Sequence, residues 1–129
     1  MRLLRVKLNG ATVFVPDDAL IVIDEVYVSQ VYNFFGFSPD WTVIDVGAHV
    51  GIFTVYCARR IGKNGKIIAV EPHSLNFPLL TKNIKSNKLN NVIALRFALS
   101  DREGPVKSYL GDSISHTIEE LRCNMMGLE

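Results

Sequence analysis

The chain has 129 residues, 14 Lys and Arg against 13 Asp and Glu, a formal net charge of +1 and no basic run that forms a stripe, so nothing in its balance indicates a nucleic-acid partner. Its two cysteines, Cys57 and Cys123, lack the spacing of a zinc site and read as reduced, structural thiols. No stretch has a signal peptide's apolar core, and the longest uncharged apolar run, 19–23, is too short to span a bilayer, so the expected compartment is the cytoplasm.

The first predicted element is a hairpin. Residues 2–8 partly alternate, Asn9 and Gly10 make a strong two-residue turn, and 11–15 returns before Pro16 stops it. Asp17 and Asp18 offer an N-cap, and Val26, Tyr27, Val31, Phe34 and Phe35 give an apolar helical face that runs up to Gly36. Ser38, Pro39 and Asp40 then break the chain.

From residue 42 onward strands and helices alternate. Residues 42–46 are β-branched except at Asp45, the mark of a buried strand, and Asp45 falls at its carboxyl end, where open α/β sheets hold ligands. Gly47 can take a positive φ or admit a ligand to the backbone, and Gly51 stands where the next helix begins to pack. The spacing D-x-G-x-x-x-G departs from the dinucleotide fingerprint G-x-G-x-x-G. A helix over 51–61 follows, with Ile52, Val55 and Tyr56 toward the sheet, Arg59 and Arg60 at its negative end and Gly62 just past it. The second strand, 66–70, ends at Glu71 and Pro72; a helix opened by Ser74 carries Phe77, Leu80 and Ile84 on one face and ends within 87–90. Residues 92–97 are the third strand. After turn chemistry at 100–104, 106–110 reads as a short strand, and Ile114 with 118–121 allows a short helix.

Right-handed crossovers set the second and third strands successively to one side of the first, which brings the strand tips at Val46 and Glu71 together. A carboxylate at Glu71 can accept both ribose hydroxyls of a nucleoside. The plainer readings are a buried Asp45 tied to backbone donors and a Glu71 charge at a helix N-terminus. Their meeting at one point favours a ligand site.

On these residues the sequence resembles the FkbM-type methyltransferases, within the class I enzymes that use S-adenosyl-L-methionine (SAM). The resemblance rests on Val43, Ile44, Asp45, Val46, Gly47, Ala48, His49, Val50 and Gly51, then on Ala69, Val70, Glu71 and Pro72, on Asn83 and Ile84, and on Ala98, Leu99, Ser100 and Asp101. The general methyltransferase turn is D/E-x-G-x-G-x-G, and His49 stands at its middle glycine, as is usual in the FkbM group. The resemblance implies a Rossmann-like doubly wound α/β sheet of which this chain carries the first three core strands, with an N-terminal β-hairpin and helix over 1–40, a SAM-binding half-domain over 41–110 and a truncated tail over 111–129. It implies that Gly47, Ala48, His49 and Gly51 cradle the methionine and ribose part of SAM, that Asp45 holds the ammonium group, and that Glu71 takes the ribose hydroxyls. Pro72 and His73 would flank the adenine, with the backbone at Ala98 and Leu99 on its edge. The aromatic segment before the turn would form one wall of the site, which makes Tyr27 and Tyr32 candidates beside their plainer reading as core aromatics.

The implied acceptor is a hydroxyl of a small molecule, sugar or lipid, and the implied reaction is O-methyl transfer. His49 reads either as a turn histidine satisfied by the backbone or as a base on that hydroxyl, the first being the plainer. The group's acidic K-I-D-x-E-G-like segment on the next core strand has no counterpart after Leu110, so a SAM-binding or oligomerising module without catalysis is the alternative. With three core strands the first has an open edge, which invites self-association or a partner chain. Asp112, Ser113 and His116 share a triad's composition but read as solvated turn chemistry. No metal site is expected.

Overall fold

A computed structural model of the chain describes residues 2–33, 36–101, 103–110 and 117–124, with the backbone alone for 106–110 and 117–124. Phe34, Phe35, Asp112, Ser113 and His116 lie outside the described residues, as does 125–129.

Strands β1 (Leu3–Leu8) and β2 (Ala11–Pro16) pair antiparallel, closed by Leu8 opposite Ala11. Asn9 and Gly10 take the positive φ values, 46° and 84°, that a two-residue hairpin turn needs. The predicted helix over 17–36 is shorter and irregular. It consists of a 3-10 turn (Asp17–Ala19), one α turn, α1 (Leu20–Ile23), and a π turn (Asp24–Val28), and Gln30 at φ 51° follows. The β-branched residues Ile21, Val22, Ile23, Val26 and Val28 crowd a helical backbone, and the wider π turn ends with Ser29 donating to the Asp24 carbonyl at 2.8 Å.

Three parallel strands form the central sheet in the order β3 (Thr42–Val46), β4 (Lys66–Val70), β5 (Val92–Leu95), successive to one side as expected, with Val46 opposite Val70 and Val70 opposite Leu95. Helix α2 (Ile52–Ile61) links β3 to β4, and α3 (Asn76–Ser86) links β4 to β5. Seven of the ten α2 residues are buried, including Ile52, Val55, Cys57 and Ile61. A helix apolar on nearly every side must be covered on more than one face. The hairpin, α1 and the π turn supply one cover through Val13, Val15, Ile23 and Val26, while Ile67 and Val43 of the sheet supply the other.

Asn83 of α3 and Asn87 at its C-cap dock the hairpin. Asn83, fully buried, accepts from the Phe14 N–H at 2.7 Å and donates to the carbonyls of Phe14 at 2.9 Å and Val50 at 2.7 Å. One turn later Asn87 accepts from the Thr12 N–H and donates to the Thr12 carbonyl, at 2.9 and 2.7 Å. The amides thus continue β2's ladder as a strand would, satisfying backbone groups that burial would otherwise strand.

Helix α3 starts two residues after the predicted opening at Ser74, with the His73 carbonyl accepting from Phe77 at 3.0 Å. The third strand stops at Leu95, two short of prediction. A second sheet follows, in the order β6 (Ala98–Leu99), β8 (Thr117–Asn124), β7 (Gly104–Leu110). Here β8 replaces the short helix predicted over 118–121. An isolated helical turn is marginal, whereas pairing from Gly104 opposite Cys123 to Leu110 opposite Thr117 gives the segment a full antiparallel ladder.

Candidate functional site

The carboxyl ends of β3 and β4 meet at the turn 47–51. Gly47 has φ 73° and Gly51 φ 85°. A Cβ on Gly51 would lie 2.6 Å from Leu80 Cδ1, so this glycine sets how closely α2 approaches α3. His49 also takes a positive φ, 55°, which explains why the general turn carries glycine at that position.

The turn's amides point toward β4. Gly47 and Ala48 both donate to the Val70 carbonyl, at 2.9 and 3.0 Å, and His49 donates to Glu71 Oε2 at 2.7 Å. Glu71, 5% exposed, accepts at Oε1 from the His73 N–H at 3.0 Å and from Asn76 Nδ2 at 3.4 Å. Three successive N–H groups are therefore already used. What the turn offers a ligand is carboxylate and carbonyl oxygen, which is unlike a phosphate cradle, where free N–H groups face the anion.

Asp45 lies half-buried at the tip of β3, and the Thr54 hydroxyl on the first turn of α2 donates to its Oδ2 at 2.5 Å. Burial pushes the Asp45 carboxyl above its ordinary range; the Thr54 bond opposes this, and the neighbouring Glu71 charge adds to it. Beside Asp45 a cavity of about 390 Å³ opens, lined by Asp45, Gly47, Ala48 and His49 of the turn, by Ile52 and Phe53 of α2, and by Val22, Glu25, Val26 and Tyr32 of the helical segment. Tyr32 packs on Phe53 with ring centroids 4.6 Å apart.

Of the residues singled out from sequence, the structure thus brings Asp45, Gly47, Ala48, His49 and Tyr32 to one cavity. Gly51, Glu71, Pro72 and His73 stand behind or beside the turn, outside the lining, and Ala98 and Leu99 form β6. Tyr27 lies elsewhere, edge-on to Tyr56 at 5.0 Å. Sequence reasoning missed Glu25; the signal was its place among Val22, Val26 and Tyr32 on one helical stretch. The His49 Nδ1 atom is buried with no hydrogen-bond partner among the described residues. Cys57 is fully buried, and burial, with the Asp45 charge adding to it, pushes its thiol up to about 11.

Residues 36–114 match the model of the TRM5/TYW2 methyltransferase domain. The chain is 28% identical over 88 residues to methyltransferase sdnD of Sordaria araneosa, a match taking in 67% of this chain and 34% of that protein. Among solved structures it is similar to M. jannaschii TYW2 in complex with AdoMet, with a TM-score of 0.59 and 27% identity over 73% of this chain and 42% of that one. It is also similar to the M. jannaschii tRNA m1G37 methyltransferase, with a TM-score of 0.55 and 23% identity over 79% and 36%. The expected α/β fold of class I methyltransferases is the one these structures share. The chain spans about a third of the length of sdnD. No helix among the described residues is long and apolar enough to cross a membrane.

One expectation is overturned. The sequence implies a small-molecule, sugar or lipid partner and holds no indication of nucleic acid, whereas the matched family takes its name from TRM5 and TYW2 and the solved structures similar to the chain include a tRNA methyltransferase. A near-neutral total counts cations without saying where the fold gathers them.

Proposed function

The chain belongs to the TRM5/TYW2 methyltransferase domain family, and on that premise we propose that residues 41–110 bind SAM as the cofactor part of a tRNA-directed methyltransferase. One observation carries the cofactor reading: the turn's amides are spent on Val70 and Glu71, while the carboxylates of Asp45 and Glu25 line the cavity. SAM brings a sulfonium and an ammonium cation to such a mouth; a dinucleotide brings a pyrophosphate, which it would repel.

When bound, SAM supplies an already electrophilic methyl carbon, so the protein's part is mostly proximity and alignment. Asp45, fixed by Thr54, would hold the ammonium group, and Tyr32 and Phe53 wall the cavity. Gly47, Ala48 and His49 bound the methionine and ribose part. Glu71 has about four acceptor sites, of which His49, His73 and Asn76 occupy three. Its fourth site would hold one ribose hydroxyl, and release of the long Asn76 bond would free a site for the other. Pro72 and His73, following Glu71, border the adenine, with Ala98 and Leu99 beyond.

Calorimetry with S-adenosylhomocysteine and with NAD tests the cofactor reading. NAD binding as tightly as S-adenosylhomocysteine would end it. Placement in the FkbM group is the finer reading, favoured by His49 in a left-handed backbone where the general turn carries glycine. On that reading His49→Gly, which keeps the backbone N–H bond to Glu71 but loses the ring beside the cavity, weakens S-adenosylhomocysteine binding; an unchanged affinity removes the ring's role.

A further inference from the structure

At the far end of α2 from the cofactor turn, the fold gathers cations that are scattered in sequence. One cavity of about 430 Å³ is lined by Arg59, Lys63, Lys88 and Asn90, with Asn91 at its floor donating to the carbonyls of Ala58 at 3.2 Å and Gly62 at 2.8 Å. A second, of about 200 Å³, is lined by Arg59, Arg60, Asn9, Tyr27 and Tyr56. Arg59 lines both, so the two clefts form one basic surface, and no carboxylate among the described residues lines either. Lys63 and Lys88 are exposed, and Arg59 reaches the Asn9 carbonyl at 3.3 Å across the hairpin tip.

One further observation favours an anion over a solvated charge cluster. The Tyr27 hydroxyl in the smaller cleft is buried with no hydrogen-bond partner among the described residues, a donor for which a phosphate oxygen is the fitting acceptor.

We propose that this surface, built from Arg59, Arg60, Lys63, Lys88 and the Tyr27 hydroxyl, docks the phosphate backbone of the nucleic-acid acceptor. This rests on the tRNA reading above. Helix α2 is ten residues long, about 15 Å at 1.5 Å per residue, so a ligand that touches both ends must be extended. A polynucleotide spans that distance, and a small hydroxyl acceptor does not. Phosphate contacts of this kind position the substrate and carry no sequence information.

The test is fluorescence anisotropy with a labelled, unmodified tRNA transcript across a salt series, on the full chain, Lys63→Gln/Lys88→Asn, and Arg2→Gln as a control at the opposite end of the hairpin. Circular dichroism checks that each variant folds. Each lost phosphate contact lowers the slope of log K against log salt by roughly 0.7–0.9. The double variant should therefore bind roughly tenfold or more weakly near physiological salt, with a slope smaller by about 1.5, and Arg2→Gln should bind as the parent does. Absence of tRNA binding by the parent chain, an unchanged double variant, or an equal loss in Arg2→Gln overturns the proposal. So does tighter binding to phosphatidylserine vesicles than to tRNA. Calorimetry with S-adenosylhomocysteine is read separately: failure there removes the cofactor reading and leaves the tRNA result standing.

Discussion

The two ends of α2 are chemical opposites. At its N-terminus the sheet tips present the carboxylates of Asp45 and Glu71, with Glu25 of the π turn beside them; in its last turn and beyond lie Arg59, Arg60, Lys63 and Lys88. The acidic end is tightly bonded, with Glu71 tying three donors, whereas Lys63 and Lys88 stand exposed. A chain with a net charge of +1 can thus carry two strong local fields of opposite sign, one suited to a cationic cofactor and the other to a polyanion. Substitutions at the two ends should accordingly fail in different ways.

The largest effect is expected at Glu71. Glu71→Ala removes the acceptor of the His49 and His73 N–H groups, leaving two backbone donors unpaired in a site where Glu71 itself is 5% exposed. The expected loss of stability is roughly 3–5 kcal/mol, read by urea unfolding, together with at least about tenfold weaker S-adenosylhomocysteine binding. From sequence alone the ribose role of Glu71 separates from the fold; in the structure it does not. A variant as stable as the parent would show that the turn does not lean on this carboxylate.

Next come the glycines of the same turn, which sharpen the contrast between packing and access. Gly51→Ala meets Leu80 at 2.6 Å with φ 85°, and should cost roughly 2–4 kcal/mol. Gly47→Ala has nothing within 4 Å and bears only the cost of its φ of 73°, roughly 1–2 kcal/mol. Its added methyl intrudes on the cavity lining, so it should weaken the cofactor more than the fold. Thermal unfolding and calorimetry on the pair separate these outcomes; equal stability losses would mean that α2 can back away from α3.

How much of each end was legible follows from how each is assembled. Asp45, Gly47, His49 and Gly51 are nearly contiguous, and Glu71 ends the next apolar run, so spacing alone exposes the acidic end. The basic end draws on α2, the turn after it, the segment after α3 and the hairpin tip, and no window of sequence shows them together. The hairpin was legible from Asn9 and Gly10. Its docking by Asn83 and Asn87 was not, because two amides at i and i+4 on a helix look like surface until a strand edge is placed beside them. The helix predicted over 118–121 failed because the ladder with β7 is a long-range partner that local periodicity does not encode.

Asp45→Asn should act in two directions. In the folded chain burial keeps the Asp45 proton to a higher pH than the ordinary carboxyl value of 3.8, so ionisation costs stability as pH rises through the folded value. The asparagine avoids that cost and can still accept from Thr54. At neutral pH the variant should therefore melt higher than the parent, with the gap closing as pH falls toward the ordinary carboxyl value. Its S-adenosylhomocysteine binding should be weaker, since the charge facing the ammonium group is gone. A variant that melts lower at neutral pH, or binds the ligand as well as the parent, would separate burial from function at this position.

The smallest effect on stability is expected at Arg60, where the basic end's two demands on one side chain can be told apart. Its guanidinium carbon lies 4.2 Å from the Tyr56 ring centroid and 5.6 Å from that of Phe37, and the residue is exposed. An exposed cation–π contact contributes roughly 0.5–1 kcal/mol. Arg60→Ala removes both the contact and the charge, so it should lower stability by about that amount and also reduce the salt slope of tRNA binding by roughly 0.7–0.9. Arg60→Lys keeps the charge but stacks less well on a ring, because an ammonium has no planar face. It should lose a few tenths of a kcal/mol at most, roughly half the contact, and keep the parent's salt slope. If Arg60→Lys lost as much tRNA affinity as Arg60→Ala, planar stacking rather than charge would govern this end of the molecule, and its opposition to the acidic end would not be electrostatic.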